Sequence, residues 1–102
     1  MTSLDLTSKT CVSTLKLLGD YHVLRILDAL QAGELRFCEV QRTVDNLNPV
    51  TLTDRLKKLE EAELISRTED TVDKVAVTYS LTDRGSRTVP VLTAINDFVE
   101  GK

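Results

Sequence analysis

Asn48-Pro49-Val50-Thr51-Leu52-Thr53-Asp54-Arg55-Leu56-Lys57-Lys58-Leu59-Glu60-Glu61-Ala62-Glu63-Leu64-Ile65 reads as a capped amphipathic helix running into a strand. Asn48 suits the N-cap, and Pro49 the first helical position, where a missing N–H costs nothing. Leu52, Leu56 and Leu59 fall at i, i+4 and i+7 and make a stripe for burial. Val50, Thr51, Thr53, Asp54, Lys57 and Lys58 lie off that stripe. An apolar back with small, hydroxylic and basic residues on the front suits a DNA major groove. An ordinary surface helix shares the pattern, so the flanking segments decide.

Upstream, residues from about Ser8 to Leu18 look helical, with Cys11, Leu15 and Leu18 on one side. Gly19-Asp20 breaks that pattern. Val23, Ile26, Leu27 and Leu30 then form an i, i+3, i+4, i+7 stripe, ended by Ala32-Gly33. Phe37, Val40 and Val44 mark a short third helix, and Asp45-Asn46-Leu47-Asn48 a turn. A short helix, a tight turn and a second capped helix follow one another as in a helix-turn-helix.

Downstream of Leu64 the period changes to two. Ile65 to Glu69 forms one strand, and Val75, Val77, Tyr79 and Leu81 alternate with Ala76, Thr78 and Ser80 in a second. Asp70-Thr71-Val72-Asp73-Lys74 is the hairpin tip, and a hairpin in this place is a wing. Thr82 caps a last helix, with Asp83 favouring its dipole. Val91, Leu92, Ile95, Phe98 and Val99 give that helix a stripe too broad for one small core, so part of it should face a second copy. Pro90 should kink or divide it.

The bulk properties narrow the classes. A chain of 102 residues holds one domain. Hydrophobic content of 41% without Trp supports a modest aliphatic core. No apolar run reaches membrane-spanning length and no signal-peptide pattern opens the chain, so a cytoplasmic protein without membrane association is expected. Two cysteines are too few for a disulfide framework. The net charge of −3 is the wrong sign for a non-specific nucleic-acid binder. It is compatible with a specific binder carrying a local basic face, with weak background affinity and strong salt sensitivity.

The whole pattern resembles the HxlR family of bacterial and archaeal winged-helix transcriptional regulators, relatives of MarR-type proteins. Leu18-Gly19-Asp20, Arg36-Phe37, Leu52-Thr53-Asp54-Arg55-Leu56-Lys57-Lys58-Leu59-Glu60, Leu64-Ile65 and Tyr79-Ser80-Leu81-Thr82-Asp83-Arg84-Gly85 carry the resemblance, which covers the chain from Cys11 to about Gly101. It implies a homodimer built from the first and last helices. It also implies a recognition helix in each major groove and wings on the flanking backbone or minor groove. The chain departs from the family at four places. Val50 stands where a Lys or another polar residue is usual, and Asp54 where a non-acidic polar residue is usual. Lys74-Val75-Ala76 replaces a Pro-Pro-Arg run in the wing, and His22 replaces a common Trp.

The expected fold is therefore mainly α with a small β-hairpin wing. One winged helix-turn-helix domain covers residues 1–102, with the helix-turn-helix over about 35–63, the wing over about 64–81 and dimerisation helices over about 8–18 and 83–100. The expected DNA-binding residues are Arg36, Asn48, Val50, Thr51, Thr53, Asp54, Arg55, Lys57, Lys58 and Lys74. Val50 can meet a thymine methyl; Asp54 can accept from a cytosine amino group or repel phosphate. Arg55 has a rival role in pairing with an acidic residue within the fold, such as Glu60 or Glu39, and Arg36 is likewise divided between phosphate and an internal pair. Cys11, near a helix start, is a redox candidate because the helix dipole lowers a thiol pKa, and some members of the resembled family sense electrophiles or oxidants there. A small buried hydrophobe is the competing role. Cys38 is the lesser candidate.

Two cysteines and one histidine, His22, far apart in sequence do not suggest a zinc site. Without a phosphate loop, a triad or paired carboxylates, neither a cofactor nor an enzyme is expected. The partners expected are double-stranded DNA, a second copy of the chain, and a small-molecule or oxidant effector. The competing function is a winged-helix module that binds protein, favoured by the acidic balance, Asp54 and the absent wing arginine.

Overall fold

Residues 9–69 and 77–101 are described by the computed structural model, with side chains from residue 12 onward. Lys74, Val75, Ala76 and the rest of the expected wing tip, and the Cys11 side chain, lie outside the described residues.

Helix α1 (Lys9–Leu18) ends at Gly19, and Asp20 caps α2 (Tyr21–Leu30). The Asp20 backbone is extended, and its Oδ1 accepts from the Val23 N–H at 3.1 Å. All four residues of the α2 stripe are buried. This helix stops at Leu30 with Gln31 as its cap, two residues before the expected Gly33. Gly33 instead takes a φ of 138°, open to glycine but not to L side chains, as the chain turns into β1 (Leu35–Arg36).

Arg36 ends β1 and caps α3 (Phe37–Thr43), its backbone N–H donating to Glu39 Oε1 at 2.9 Å. The turn to α4 (Pro49–Glu61) needs two left-handed residues, Asp45 (φ 57°) and Asn46 (φ 52°). Asp and Asn tolerate that region better than other L residues. Arg25 holds the turn from α2, donating to Asp45 Oδ2 at 2.9 Å, the Thr43 carbonyl at 3.0 Å and the Tyr21 hydroxyl at 2.7 Å. Asn48 and Pro49 occupy the N-cap and first position of α4, as the sequence predicts.

Helix α4 closes in a Schellman arrangement: Leu64 N–H reaches the Leu59 carbonyl and Glu63 N–H the Glu60 carbonyl, both at 3.0 Å. Glu63, at φ 62°, holds the left-handed place usually given to glycine. The chain leaves directly into β2 (Ile65–Glu69), which pairs antiparallel with β3 (Val77–Leu81), Arg67 opposite Tyr79. The sheet has three strands in the order β1-β3-β2, not the two expected, because Leu35 and Arg36 pair with Tyr79 and Thr78. A two-residue strand is too short to show alternation in sequence.

Thr82 caps α5 (Asp83–Ser86), accepting from Gly85 N–H at 2.9 Å and donating to the Glu63 carbonyl at 2.6 Å. The expected last helix is divided: α5 gives way to α6 (Val89–Glu100), where Pro90 sits in the first turn and lacks only an N–H that a helix start leaves unpaired.

One apolar cluster joins Val23, Ile26, Leu27 and Leu30 of α2, Val40 and Val44, Leu52, Leu56 and Leu59 of α4, and Leu64, Ile65 and Tyr79 of the wing. Each such side chain contributes about 1.5–3 kcal/mol of hydrophobic stabilisation. The recognition helix and wing are thereby fixed to one frame. Helix α6 buries none of its residues: Leu92 packs on the core while Phe98 and Val99 are 85% and 75% exposed.

Candidate nucleic-acid interface

Burying Leu52, Leu56 and Leu59 determines what α4 presents outward. Val50, Asp54, Lys57 and Glu61 recur at i, i+4, i+7 and i+11 on the opposite side, and all four are exposed, Val50 by 78%. Thr53 and Lys58 flank this row and are exposed too, while Thr51 is half-buried. The Asn48 side chain is engaged by its own helix, Oδ1 accepting from Val50 N–H at 2.8 Å. Lys57 has no ion pair among the described residues.

The charged residues beside that row form a chain of pairs. Asp54 Oδ2 accepts from Arg55 Nη1 and from Lys58 Nζ, the latter at 3.2 Å. Arg55 Nε donates to Asp20 Oδ2 at 3.0 Å, tying α4 to the cap of α2. Arg55 thus pairs with Asp20 and Asp54 rather than with Glu60 or Glu39. Residue 55 projects to the side of α4 that faces the start of α2. The Lys58 ammonium, then the Arg55 guanidinium, holds the Asp54 carboxyl below its ordinary value of 3.8. Burial works against the ionised form of Asp20, but the Val23 N–H and the Arg55 charge outweigh it and lower its carboxyl as well.

Arg36 lies apart from this cluster, at the β1–α3 junction, with an exposed side chain. Cys38 is exposed in the first turn of α3, and Cys11 belongs to the first turn of α1 as described. His22 is half-buried, its ring edge-on to Tyr21 at 5.5 Å. Sequence reasoning passed over two participants. In sequence Asp20 stands as a helix break and within the family resemblance, and its pairing across 35 positions leaves no local signal. Arg67, in β2, brings a cation to the described part of the wing and pairs with Glu69 at 2.9 Å; its place on an exposed strand face was the available signal.

A cleft of about 750 Å³ opens between α1, α4 and α5, with Leu17, Val23 and Ala62 on its apolar side and Asp20, Arg55 and Arg84 on its charged side. Among the described residues no group of His, Cys, Asp and Glu is placed to hold a metal, and no helix is long and apolar enough to cross a membrane.

A short helix, a tight turn, an amphipathic second helix and an antiparallel hairpin on one core define a winged helix-turn-helix protein. The chain belongs to the HxlR-like helix-turn-helix family, whose family model matches residues 17–102. It is 35% identical over 71 residues to the uncharacterised HTH-type transcriptional regulator YvaP of Bacillus subtilis, covering 70% of this chain and 66% of YvaP. It is 34% identical over 74 residues to the HTH-type transcriptional regulator YodB of the same organism, covering 72% of this chain and 66% of YodB. Across the curated relatives, the matched stretch spans 53% to 71% of the relative's length. The reduced form of YodB superposes with a TM-score of 0.81 at 28% identity, covering 92% of each chain. YodB is also known in diamide-treated and quinone-bound forms. These are names of transcriptional regulators and not of enzymes, in line with the sequence reading.

Proposed function

We propose that the chain is a DNA-binding transcriptional regulator that acts as a homodimer on a pseudo-palindromic operator. The outward face of α4 carries this reading. Val50, Thr53 and Lys57 stand clear of the core on a capped helix whose back is locked by three leucines, with Thr51 at the edge of that face. A helix so mounted can enter a major groove with its N-terminal half against base edges, while the wing follows the backbone. Of the features that favoured a protein-binding module, Asp54 loses weight, since Arg55 and Lys58 neutralise it internally. Fluorescence anisotropy on the duplex upstream of the gene, with a scrambled control and a salt series, tests the reading. Selective binding that falls steeply with salt supports it; equal binding to both duplexes at every salt concentration contradicts it.

The dimer rests on the uncovered apolar face of α6. Val91, Ile95, Phe98 and Val99 are 42–85% exposed, and Leu15 of α1 is 46% exposed. A second copy is the occupant implied by the family and by the two-fold symmetry of paired half-sites. Phe98→Glu places a charge at the most exposed point of that face. Light scattering should then report a monomer with an unchanged far-ultraviolet spectrum. A Phe98→Glu protein that keeps the mass of a dimer would place the interface elsewhere.

Oxidants or electrophiles act, in this reading, through the Cys11 thiol, in a helix that belongs to the proposed dimer contact. Modification there changes the relative stability of two placements of the reading heads and so the affinity for the operator. That YodB exists in diamide-treated and quinone-bound forms supports this assignment by similarity. The cleft beside α1 has the volume of a small-molecule site and offers an effector a place next to the Asp20–Arg55 pair. Cys11→Ser should abolish the response of DNA binding to diamide and leave the untreated affinity unchanged. A full response retained in Cys11→Ser ends the assignment.

A further inference from the structure

We infer that Asp54 is a specificity-determining residue: by holding Arg55 and Lys58 in internal ion pairs, it restrains sequence-independent binding to the phosphate backbone. The inference rests on the DNA-binding reading above and names the residue that tunes it.

Asp54 lies in the middle of the outward row of α4, between Val50 and Lys57, on the face proposed to approach DNA. One of its oxygens, Oδ2, holds two cations at once, Arg55 and Lys58. Arg55 is pinned a second time by Asp20, which is fixed as the α2 cap. The Asp20–Arg55–Asp54–Lys58 chain therefore sets where the carboxylate stands and draws the Lys58 ammonium back along its own helix. A DNA phosphate must compete with Asp54 for Lys58 and Arg55, and it meets the repulsion of Asp54 as it does so.

The net charge of α4 points the same way. Its three cations, Arg55, Lys57 and Lys58, are matched by three acids, Asp54, Glu60 and Glu61. Non-specific binding comes almost wholly from phosphate neutralisation. A recognition helix with two of its three cations internally paired gives up much of that component and leaves more of the decision to hydroxyl and apolar contacts at base edges. Lys57 keeps its cation outside the network and remains available to a phosphate.

Asp54→Asn tests this, with Asp54→Glu as the conservative variant and Asp28→Asn as the control for net charge. Asp28 is exposed on α2, outside the proposed DNA face, and has no ion pair among the described residues. Asp54→Asn should bind a scrambled duplex about three- to tenfold more tightly at low salt, the scale on which exposed ion pairs act. Each additional phosphate contact should steepen the slope of log K against log salt by about 0.9. The ratio of operator to scrambled affinity should fall. Asp54→Glu should behave as the parent, and Asp28→Asn should change affinity by less than about twofold, since one screened charge away from the DNA face has a small effect.

On duplexes, three results would overturn the inference: scrambled affinity that does not rise in Asp54→Asn, an equal rise in Asp28→Asn, or a loss confined to one base pair. The last would make Asp54 a direct acceptor from a base. Retention on a heparin matrix gives a readout independent of any operator. Asp54→Asn should elute at higher salt than the parent, and coincident elution contradicts the restraint even if no operator duplex is bound. Failure of the DNA-binding reading itself would appear separately, as a parent protein that does not distinguish any duplex.

Discussion

Gly85→Ala is expected to lower the thermal midpoint by about 10–20 °C. A Cβ at residue 85 would lie 1.9 Å from the Leu64 carbonyl oxygen, 3.0 Å from its carbon and 3.3 Å from Leu81 Cδ2. The first two atoms are backbone, so no rotamer change relieves the contact. The same carbonyl oxygen accepts from Thr82 N–H at 3.1 Å, and Leu64 N–H closes the Schellman end of α4. Pushing this peptide away strains the α5 cap, the α4 terminus and the start of β2 together. Overpacking of this kind costs about 1–3 kcal/mol or more. A circular-dichroism melt measures it, and a midpoint within 2 °C of the parent would show that α5 can shift freely, contrary to the packing described.

Lys57→Glu should produce the largest functional effect. Lys57 is exposed at the centre of the outward face and stands outside the ion-pair chain. Its reversal removes an attraction to phosphate and installs a repulsion, twice over in a dimer. Affinity for the operator should fall about 100-fold at low salt, and the salt slope by about one per protomer. Fold stability should change by less than about 0.5 kcal/mol, since the side chain packs against nothing buried. Anisotropy titration with a parallel melt separates the two. Unchanged affinity would remove Lys57 from the interface and weaken the recognition-helix assignment.

The parts of the fold most legible in sequence are those fixed by local chemistry. Asn48-Pro49 announced the start of α4, the leucine spacing gave its buried face, and Thr82 marked the start of α5. Pro90 is expected to kink or divide the last helix, and the helix is divided just before it, at Arg87 and Thr88. The elements missed depend on contacts between distant segments. Strand β1 exists because Leu35 and Arg36 lie beside Tyr79 and Thr78, and neither residue alone has a strand signature. Gly85 was noted through family resemblance, but its physical need, a peptide carbonyl from residue 64 against its α-carbon, is visible only in three dimensions.

The candidate site divides the same way. That Val50, Thr53, Asp54, Lys57 and Lys58 share the exposed side of one helix follows from a period of 3.6. Which of their charges are internally satisfied does not. The expected rival role for Arg55, an ion pair with an acidic residue within the fold, is what the structure has, with Asp20 and Asp54 in place of the examples Glu60 and Glu39. Asp20 comes from another helix and Asp54 is the adjacent residue, where helical spacing arguments look to i+3 and i+4. Lys58 to Asp54 does obey that spacing and could have been read from sequence.

The most direct measurement is selection of duplexes from a random-sequence pool by the purified protein at moderate salt. The account predicts enrichment of a pseudo-palindrome whose half-sites lie about one helical turn, or a multiple of it, apart. A pool that emerges without any enriched sequence, even at low salt, would contradict the claim that α4 reads DNA.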